Sequence, residues 1–253
     1  MSYSNKYDYK SNGSSNERQT AKELARLLET SPLPKDQVTD NIGLFLTSKI
    51  LARILFFDYI YKHIIATHGI IVEFGTRWGQ NMAVLSALRG IYEPFNRHRK
   101  IVGFDTFDGF PEVTAEDGSS NLMEKGNAAT PPDYEKYLYE VLSLQESLNP
   151  ISYMKKFEII KGDAIKTSRE YFEKNRHSII SFVYFDFDIY KPTKECLKII
   201  QPHLTKGSIV AFDELCDDDS PGETIALQEV IGLNNIRLLK YPHTSRISYF
   251  IYE

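Results

Sequence analysis

Carboxylates end each of the five apolar runs that the sequence predicts as parallel strands. The set comprises Glu73, Asp105, Asp163, Asp186, Asp188, Asp213 and Glu214. The carboxyl ends of parallel strands meet at one edge of a sheet, where ligands bind, so we expect these side chains to face a common cleft. Like charges gathered there raise one another's pKa unless a cation or hydrogen-bond donors offset them. The edge therefore predicts a cationic or hydroxyl-rich ligand, a metal ion, or both.

Different members of this set suit different ligands. Asp105 ends the second strand, a position suited to accepting hydrogen bonds from a ribose diol. Asp186, Asp213 and Glu214 come from two neighbouring strands, and oxygen-only ligands of this kind suit Mg²⁺. The histidines show no paired ligand spacing, so a zinc site is not favoured.

Each assignment has a structural alternative. Asp163 follows Gly162 and can instead cap the next helix. Asp213 and Glu214 can likewise cap the helix that follows them, and Asp188 can simply face solvent. We favour the metal interpretation because the acids recur at successive strand ends.

Residues 69–79, GIIVEFGTRWG, predict a buried strand, a sharp turn at Gly75 and a helix that begins near Gly79. Such a unit opens a nucleotide-type sheet, and glycine lets the backbone approach a ligand closely. The third glycine of the dinucleotide fingerprint is absent, and Glu73 stands where it would repel a pyrophosphate. The turn therefore favours a positively charged cofactor over NAD, and S-adenosylmethionine, with its ammonium and sulfonium groups, fits.

The elements that must position these residues alternate along the chain. Strands are predicted at residues 70–73, 100–105, 157–161, 179–185 and 208–212, with helices between and after them. This alternation is typical of an α/β fold, a doubly wound, Rossmann-like and mostly parallel sheet. Two later runs, residues 235–240 and 247–252, predict an antiparallel pair at the sheet edge.

The chain is predicted to divide at residue 68. Residues 1–68 form an N-terminal tail and helical extension, with helices over residues 17–29 and 40–68. The second helix is apolar on more than one face, so we expect it to be sandwiched in the core or shared in a homo-oligomer. Residues 69–253 form the main domain, in which residues 112–150 insert a loop and a helix. The loop itself, residues 114–132, has a length typical of a lid or a binding segment.

Composition excludes several classes of protein. The 253 residues carry a formal net charge of −4 without a basic stripe, which argues against a nucleic-acid partner. The most apolar stretch, residues 50–57, is short and interrupted by Arg53, so no membrane span is predicted. The polar amino terminus lacks the apolar segment of a signal peptide, and we expect a cytoplasmic protein. The two cysteines, Cys196 and Cys216, are expected to be reduced and buried.

Five segments together resemble the macrocin-type sugar O-methyltransferases, which are metal-dependent class I S-adenosylmethionine-dependent enzymes. The segments are VEFGTRWGQN (72–81), GFDTFDGFP (103–111), KGDA (161–164), YFDFDIYKPT (184–193) and AFDEL (211–215). The match spans residues 70–231. It departs from the family pattern at Glu214, where the family usually has a second aspartate.

The resemblance implies a role for each matched residue. Glu73, Gly75, Thr76 and Gly79 would hold the methionine end of the cofactor. Its ribose would meet Asp105 and Thr106, and its adenine Asp163 and Ala164, with Asp186 also near the cofactor. The metal ligands would be Asp186, Asp213 and Glu214, and the general base would be Asp188.

These roles predict Mg²⁺-dependent methylation of a sugar hydroxyl, on a nucleotide-linked sugar or a glycosylated natural product. Trp78 and Tyr190 can line the sugar pocket, although packed aromatics are the simpler interpretation. Lys240, His243 and Arg246 can meet a diphosphate or be surface charges. Two alternatives are an NAD-dependent sugar oxidoreductase and a non-catalytic, methyltransferase-like binding protein.

Overall fold

The computed structural model describes residues 13–253, so most of the predicted polar segment 1–18 lies outside the described residues. The strands are β1 Ile70–Phe74, β2 Ile101–Asp105, β3 Phe157–Lys161, β4 Ile180–Phe185, β5 Leu204–Phe212, β6 Leu239–Lys240 and β7 Ser248–Ile251. They form a seven-stranded sheet in the order β3-β2-β1-β4-β5-β7-β6. Strands β1–β5 pair in parallel, whereas β7 runs antiparallel to both β5 and β6. This confirms the predicted sheet, although the two edge strands are shorter than predicted.

Helices pack on both faces of the sheet, except the first, which buries no residue. They are α1 Ser15–Glu29, α2 Ser48–Ile64, α3 Gln80–Tyr92, α4 Tyr134–Leu148, α5 Ala164–Lys174, α6 Tyr190–Ile200 and α7 Gly222–Val230. The predicted continuous helix over residues 40–68 is wrong, because a 3₁₀ turn at Ile42–Phe45 precedes α2. The Thr47 side chain accepts a hydrogen bond from the Ile50 N–H and so caps the start of α2.

Helix α2 packs directly on the sheet. Its residues Phe56 and Phe57 are fully buried and join a core cluster with Phe182 and Tyr184 of β4. The helix is therefore buried on one face and is not sandwiched in the core, the first of the two predicted arrangements. The opposite surface of α2 exposes apolar side chains such as Leu51, which is 44% exposed. Self-association of the chain stays a prediction.

Four phenylalanines align the carboxyl ends of the central strands. Phe104 of β2, Phe74 of β1, Phe185 of β4 and Phe212 of β5 are successive partners in register. Their rings stack with centroid separations of 5.2, 5.0 and 5.1 Å. The residue that follows each phenylalanine in the chain therefore lies at the same level of the sheet edge. Those residues are Asp105, Gly75, Asp186 and Asp213.

Two further predictions concern exposure. Cys196 is buried in α6 as expected, but Cys216 is exposed, because it lies in the turn after β5 and not in a packed element. Among residues 13–253, no helix combines the length and the apolar character that crossing a membrane requires.

The glycine at position 75 is required by the neighbouring strand. Its φ is +89°, and a Cβ there would lie 2.0 Å from the carbonyl oxygen of Asp186. The sequence interpretation, in which this glycine makes room for a ligand, is therefore incomplete, since backbone of the β4 turn already fills the space.

Substituting Gly75→Ala is expected to lower the free energy of unfolding by about 2–4 kcal/mol, because strain at positive φ adds to a backbone clash. Urea denaturation followed by circular dichroism measures the change. Gly43→Ala is the control, since a Cβ there meets no atom within 4 Å. Equal denaturation midpoints for the two variants would contradict the prediction.

Candidate active site

A cavity of about 320 Å³ lies at the carboxyl ends of the parallel strands. It spans the switch in strand order between β1 and β4, where doubly wound sheets bind ligands. The structure brings most of the predicted site residues to its wall. These are Gly75, Thr76, Gly79, Asp105, Thr106, Asp163, Ala164, Asp186, Asp188, Asp213 and Glu214.

Glu73 is the predicted site residue that the structure does not place on the wall. It is fully buried on β1 and does not line the cavity, although Gly75 and Asn81 do. Neither of its carboxylate oxygens has a hydrogen-bond partner of good geometry among the described residues. Burial raises the pKa of Glu73 to about 8, and the nearby Asn81 amide offsets only part of that rise. A buried, poorly partnered carboxyl of this kind is typical of a functional site.

Asp105 and Asp163 are both held by backbone donors. Asp105 accepts hydrogen bonds from the N–H groups of Arg77 at 2.7 Å and Phe107 at 2.6 Å, so its carboxylate is fixed at the cavity. Burial nevertheless raises its pKa. Asp163 accepts a hydrogen bond from the Ile165 N–H at 3.0 Å and so caps α5, as the structural alternative predicted. It also lines the cavity, so its cofactor role stays a prediction.

Arg53 of α2 bridges two of the predicted metal ligands. Its Nη1 lies 3.2 Å from Oδ2 of Asp186, and its Nη2 lies 2.7 Å from Oδ1 of Asp213. The Tyr184 hydroxyl donates a further hydrogen bond to Asp213. Burial and the neighbouring Asp213 raise the pKa of Asp186 to about 7 even though Arg53 opposes the shift. The guanidinium is thus the cation that holds these two carboxylates together.

Glu214, the third predicted metal ligand, is engaged elsewhere. Its Oε1 pairs with Arg246 at 2.6 Å, and its Oε2 accepts a hydrogen bond from Ser220. Within residues 13–253, no group of three or more acidic, histidine or cysteine side chains is arranged to hold a metal ion. Arg246 also pairs with Asp217, so it is a structural ion-pair partner and not a free surface charge. The predicted alternative in which Glu214 caps the next helix is wrong, because the cap of α7 is Pro221.

Asp188 lies in the cavity wall, 7% exposed, and does not simply face solvent. Its φ of +61° shows a left-handed turn, so the extended backbone of β4 does not continue through this residue. Glu223 of α7 supports that turn: its Oε1 accepts hydrogen bonds from the N–H groups of Phe187 at 3.0 Å and Asp188 at 3.3 Å. Its Oε2 accepts one from the Glu214 N–H at 3.4 Å. Burial raises the pKa of Glu223 well above its usual range.

Sequence reasoning missed three residues that organise this edge: Arg53, Glu223 and Asp117. Asp117 is fully buried and accepts hydrogen bonds from the backbone N–H groups of Tyr190 and Thr114. It thereby ties the inserted segment to the start of α6. The available signals were weak: Arg53 interrupts an apolar stretch, whereas Glu223 and Asp117 stand in polar, turn-rich segments.

The predicted aromatic and basic candidates separate into two groups. Trp78 lines the cavity and packs edge-on against Tyr134, with ring centroids 4.9 Å apart. The Tyr190 hydroxyl instead donates a hydrogen bond to Glu229. Two other candidates, Lys240 and His243, are exposed and do not line this cavity.

Two solved structures resemble this chain over nearly its whole length. A crystal structure of CalS11, a calicheamicin methyltransferase, is 39% identical with a TM-score of 0.93, over 96% of this chain and 95% of that one. An apo structure of CalS11, described as a TDP-rhamnose 3'-O-methyltransferase of calicheamicin biosynthesis, is 36% identical with a TM-score of 0.84, over 96% of each chain. The O-methyltransferase NovP has the same fold, with a TM-score of 0.60 at 14% identity over 79% of each chain. No protein-family model matches the chain, and no curated protein sequence matches it.

The raised pKa of Glu73 predicts a pH dependence of stability. Between its ordinary value near 4.5 and about 8, Glu73 is protonated when folded but ionised when unfolded. Its contribution to stability is therefore lost as the pH rises through this window. The free energy of unfolding of wild type, relative to Glu73→Gln, should fall by up to about 1.4 kcal/mol per pH unit.

Urea denaturation at half-unit pH steps measures this difference. Glu116→Gln, which changes an exposed carboxyl, should keep the wild-type slope. A wild-type and Glu73→Gln difference that is constant from pH 5 to 8 would show that Glu73 is ionised in the folded protein.

Proposed function

The chain belongs to the family of S-adenosylmethionine-dependent O-methyltransferases that includes CalS11, and from this premise we propose that it methylates a sugar hydroxyl. The acceptor is a nucleotide-linked sugar or a glycosylated natural product. One observation carries the proposal: a buried aspartate, Asp188, lines a cavity at the carboxyl ends of the parallel strands, the edge at which doubly wound sheets bind ligands. Family membership favours methyl transfer over the NAD-dependent oxidoreductase that the sequence left open.

The charge balance of the cavity suits a cationic cofactor. Among the described residues that line it, six are carboxylates and four are cationic side chains. Arg53 and Arg246 are paired with acids of the same wall, so the acids outnumber the cations and the lining carries a net negative charge. The cofactor, when bound, supplies a methyl group activated by its positively charged sulfur. In this proposal Asp105 accepts hydrogen bonds from the ribose hydroxyls, and the backbone donors that orient its carboxylate support that role.

Asp188 is proposed as the general base. It shares the cavity with Asp186 and Asp213, and Glu223 holds its backbone in place. A carboxylate held in this way can take the proton from an acceptor hydroxyl as the oxygen attacks. The rigid turn fixes the direction of that transfer, and positioning of this kind supplies much of the acceleration in methyl transfer.

The proposed acceptor follows from CalS11, which is described as acting on TDP-rhamnose. On this chain, the exposed part of Trp78 offers an apolar surface at the cavity, suited to packing against a sugar ring. Lys49, exposed on the first turn of α2, is a cation at the same cavity. These two residues fit an acceptor that combines a sugar with an anionic group.

The decisive experiment incubates the protein with S-adenosylmethionine and a panel of nucleoside-diphosphate deoxysugars, TDP-rhamnose included. Mass spectrometry should find a product that is heavier than the acceptor by about 14 mass units, because a methyl group replaces a hydrogen. Asp188→Asn should lower kcat about 10²–10⁴-fold, as expected for loss of a general base, while the cofactor affinity changes little. Asp218→Asn, an exposed acid in the turn after β5, is the matched control. An unchanged kcat in Asp188→Asn would show that another group is the base. If no sugar in the panel is methylated, the result favours the non-catalytic, methyltransferase-like binding protein.

A magnesium requirement is the finer part of the proposal. Asp186 and Asp213 fit a divalent cation, because one positive group already bridges them, whereas Glu214 faces Arg246. A bound Mg²⁺ would supply a Lewis acid that lowers the pKa of an acceptor hydroxyl. This chain's own contribution is to hold the two carboxylates at adjacent strand ends.

Chelation tests that requirement. Dialysis against EDTA should abolish methyl transfer, and added Mg²⁺ should restore it, while S-adenosylmethionine binding measured by calorimetry persists. Parallel dialysis without the chelator is the control. Full activity in EDTA would remove the metal from the mechanism and leave the rest of the proposal standing.

A further inference from the structure

Arg53 pairs with both of the aspartates that the proposed divalent cation would use. Its guanidinium contacts Asp186 through one terminal nitrogen and both oxygens of Asp213 through the other, at 3.2, 2.7 and 2.9 Å. A cation bound between the two carboxylates would take up those same oxygen lone pairs. Two positive groups cannot share them at these distances without strong repulsion.

The bridge is a built feature of the fold. Asp213 is 8% exposed in its side chain, and Tyr184 and Arg53 approach it from different elements. Burial alone would lower the pKa of Arg53, but Tyr184 and the two carboxylates outweigh that effect and raise it. Charge-assisted, two-pronged hydrogen bonds of this kind are stronger than neutral ones.

We propose that Arg53 is an internal competitor of the divalent cation, so that metal binding requires the guanidinium to leave Asp186 and Asp213. The inference rests on the proposed metal role of these two residues. It adds a residue of α2, far from both acids in sequence, to those that set the metal affinity of the site. With its side chain 27% exposed, Arg53 has solvent into which its guanidinium can turn.

Binding of Mn²⁺ to the cofactor-free protein tests the competition without measuring methyl transfer. The free ion is followed by electron paramagnetic resonance in wild type and in Arg53→Met, which keeps most of the apolar stem. The variant should bind Mn²⁺ about tenfold tighter or more, because no charged hydrogen bonds must break. In the Arg53→Met background, Asp213→Asn should abolish the gain, which assigns it to this site.

Lys49→Met is the matched control. Lys49 lies one turn earlier on α2 and lines the same cavity, but it forms no ion pair with an acid in the part of the chain that the structure describes. Removing its charge should change Mn²⁺ affinity much less than removing that of Arg53. A similar gain in both variants would attribute the effect to general electrostatics and overturn the proposal.

A second variant covers the case in which Arg53→Met fails to fold. Arg53→Lys keeps the charge but loses the planar fork that reaches both carboxylates, so Mn²⁺ should bind more tightly than in wild type. Equal affinity in wild type and the Arg53 variants would overturn the competition, and so would an absence of binding in all of them. Neither result depends on whether the enzyme transfers methyl groups, so failure here is distinct from failure of the proposed function.

Discussion

The register of four parallel strands is the constraint on which the site depends. A row of stacked phenylalanines, Phe104, Phe74, Phe185 and Phe212, sets the strands level with one another. Because side chains alternate across a strand, the residues that follow leave the aromatic layer and reach the cavity edge together. A slip of one residue on β4 would place Phe185 at that edge and turn Asp186 into the hydrophobic layer.

Bringing carboxylates together in this way creates an electrostatic problem that the fold solves locally. Arg53 pairs with both Asp186 and Asp213, Arg246 pairs with Glu214, and backbone N–H groups hold Asp105. Each counter-group comes from an element outside the strand that carries the acid. The acidic edge is therefore an assembly of several parts of the chain, and its charge is only partly balanced, because the carboxylates that line the cavity outnumber the cationic side chains.

The sequence predicted what depends on local pattern. Alternating apolar runs and helices gave the doubly wound sheet, and the polar residue after each run gave the acids of the cavity. The partners of those acids were not predictable, because Arg53 lies 133 positions from Asp186 and nothing local specifies that contact. The left-handed turn at Asp188 was not predictable from the sequence either. Aspartate tolerates that conformation, but it is also common in other backbone conformations, so its presence does not indicate such a turn. The buried role of Glu223 was hidden because it closes a run of acids that is typical of a solvated turn.

Glu223 also has a consequence for how the site moves. The Glu223 side chain accepts hydrogen bonds from the turn after β4 and from the turn after β5. The two turns are therefore connected through a single carboxylate. The proposed base and the acid Glu214 therefore shift as a coupled pair. A change in the distance between the two turns has to stretch or break a hydrogen bond to Glu223, which itself does not line the cavity.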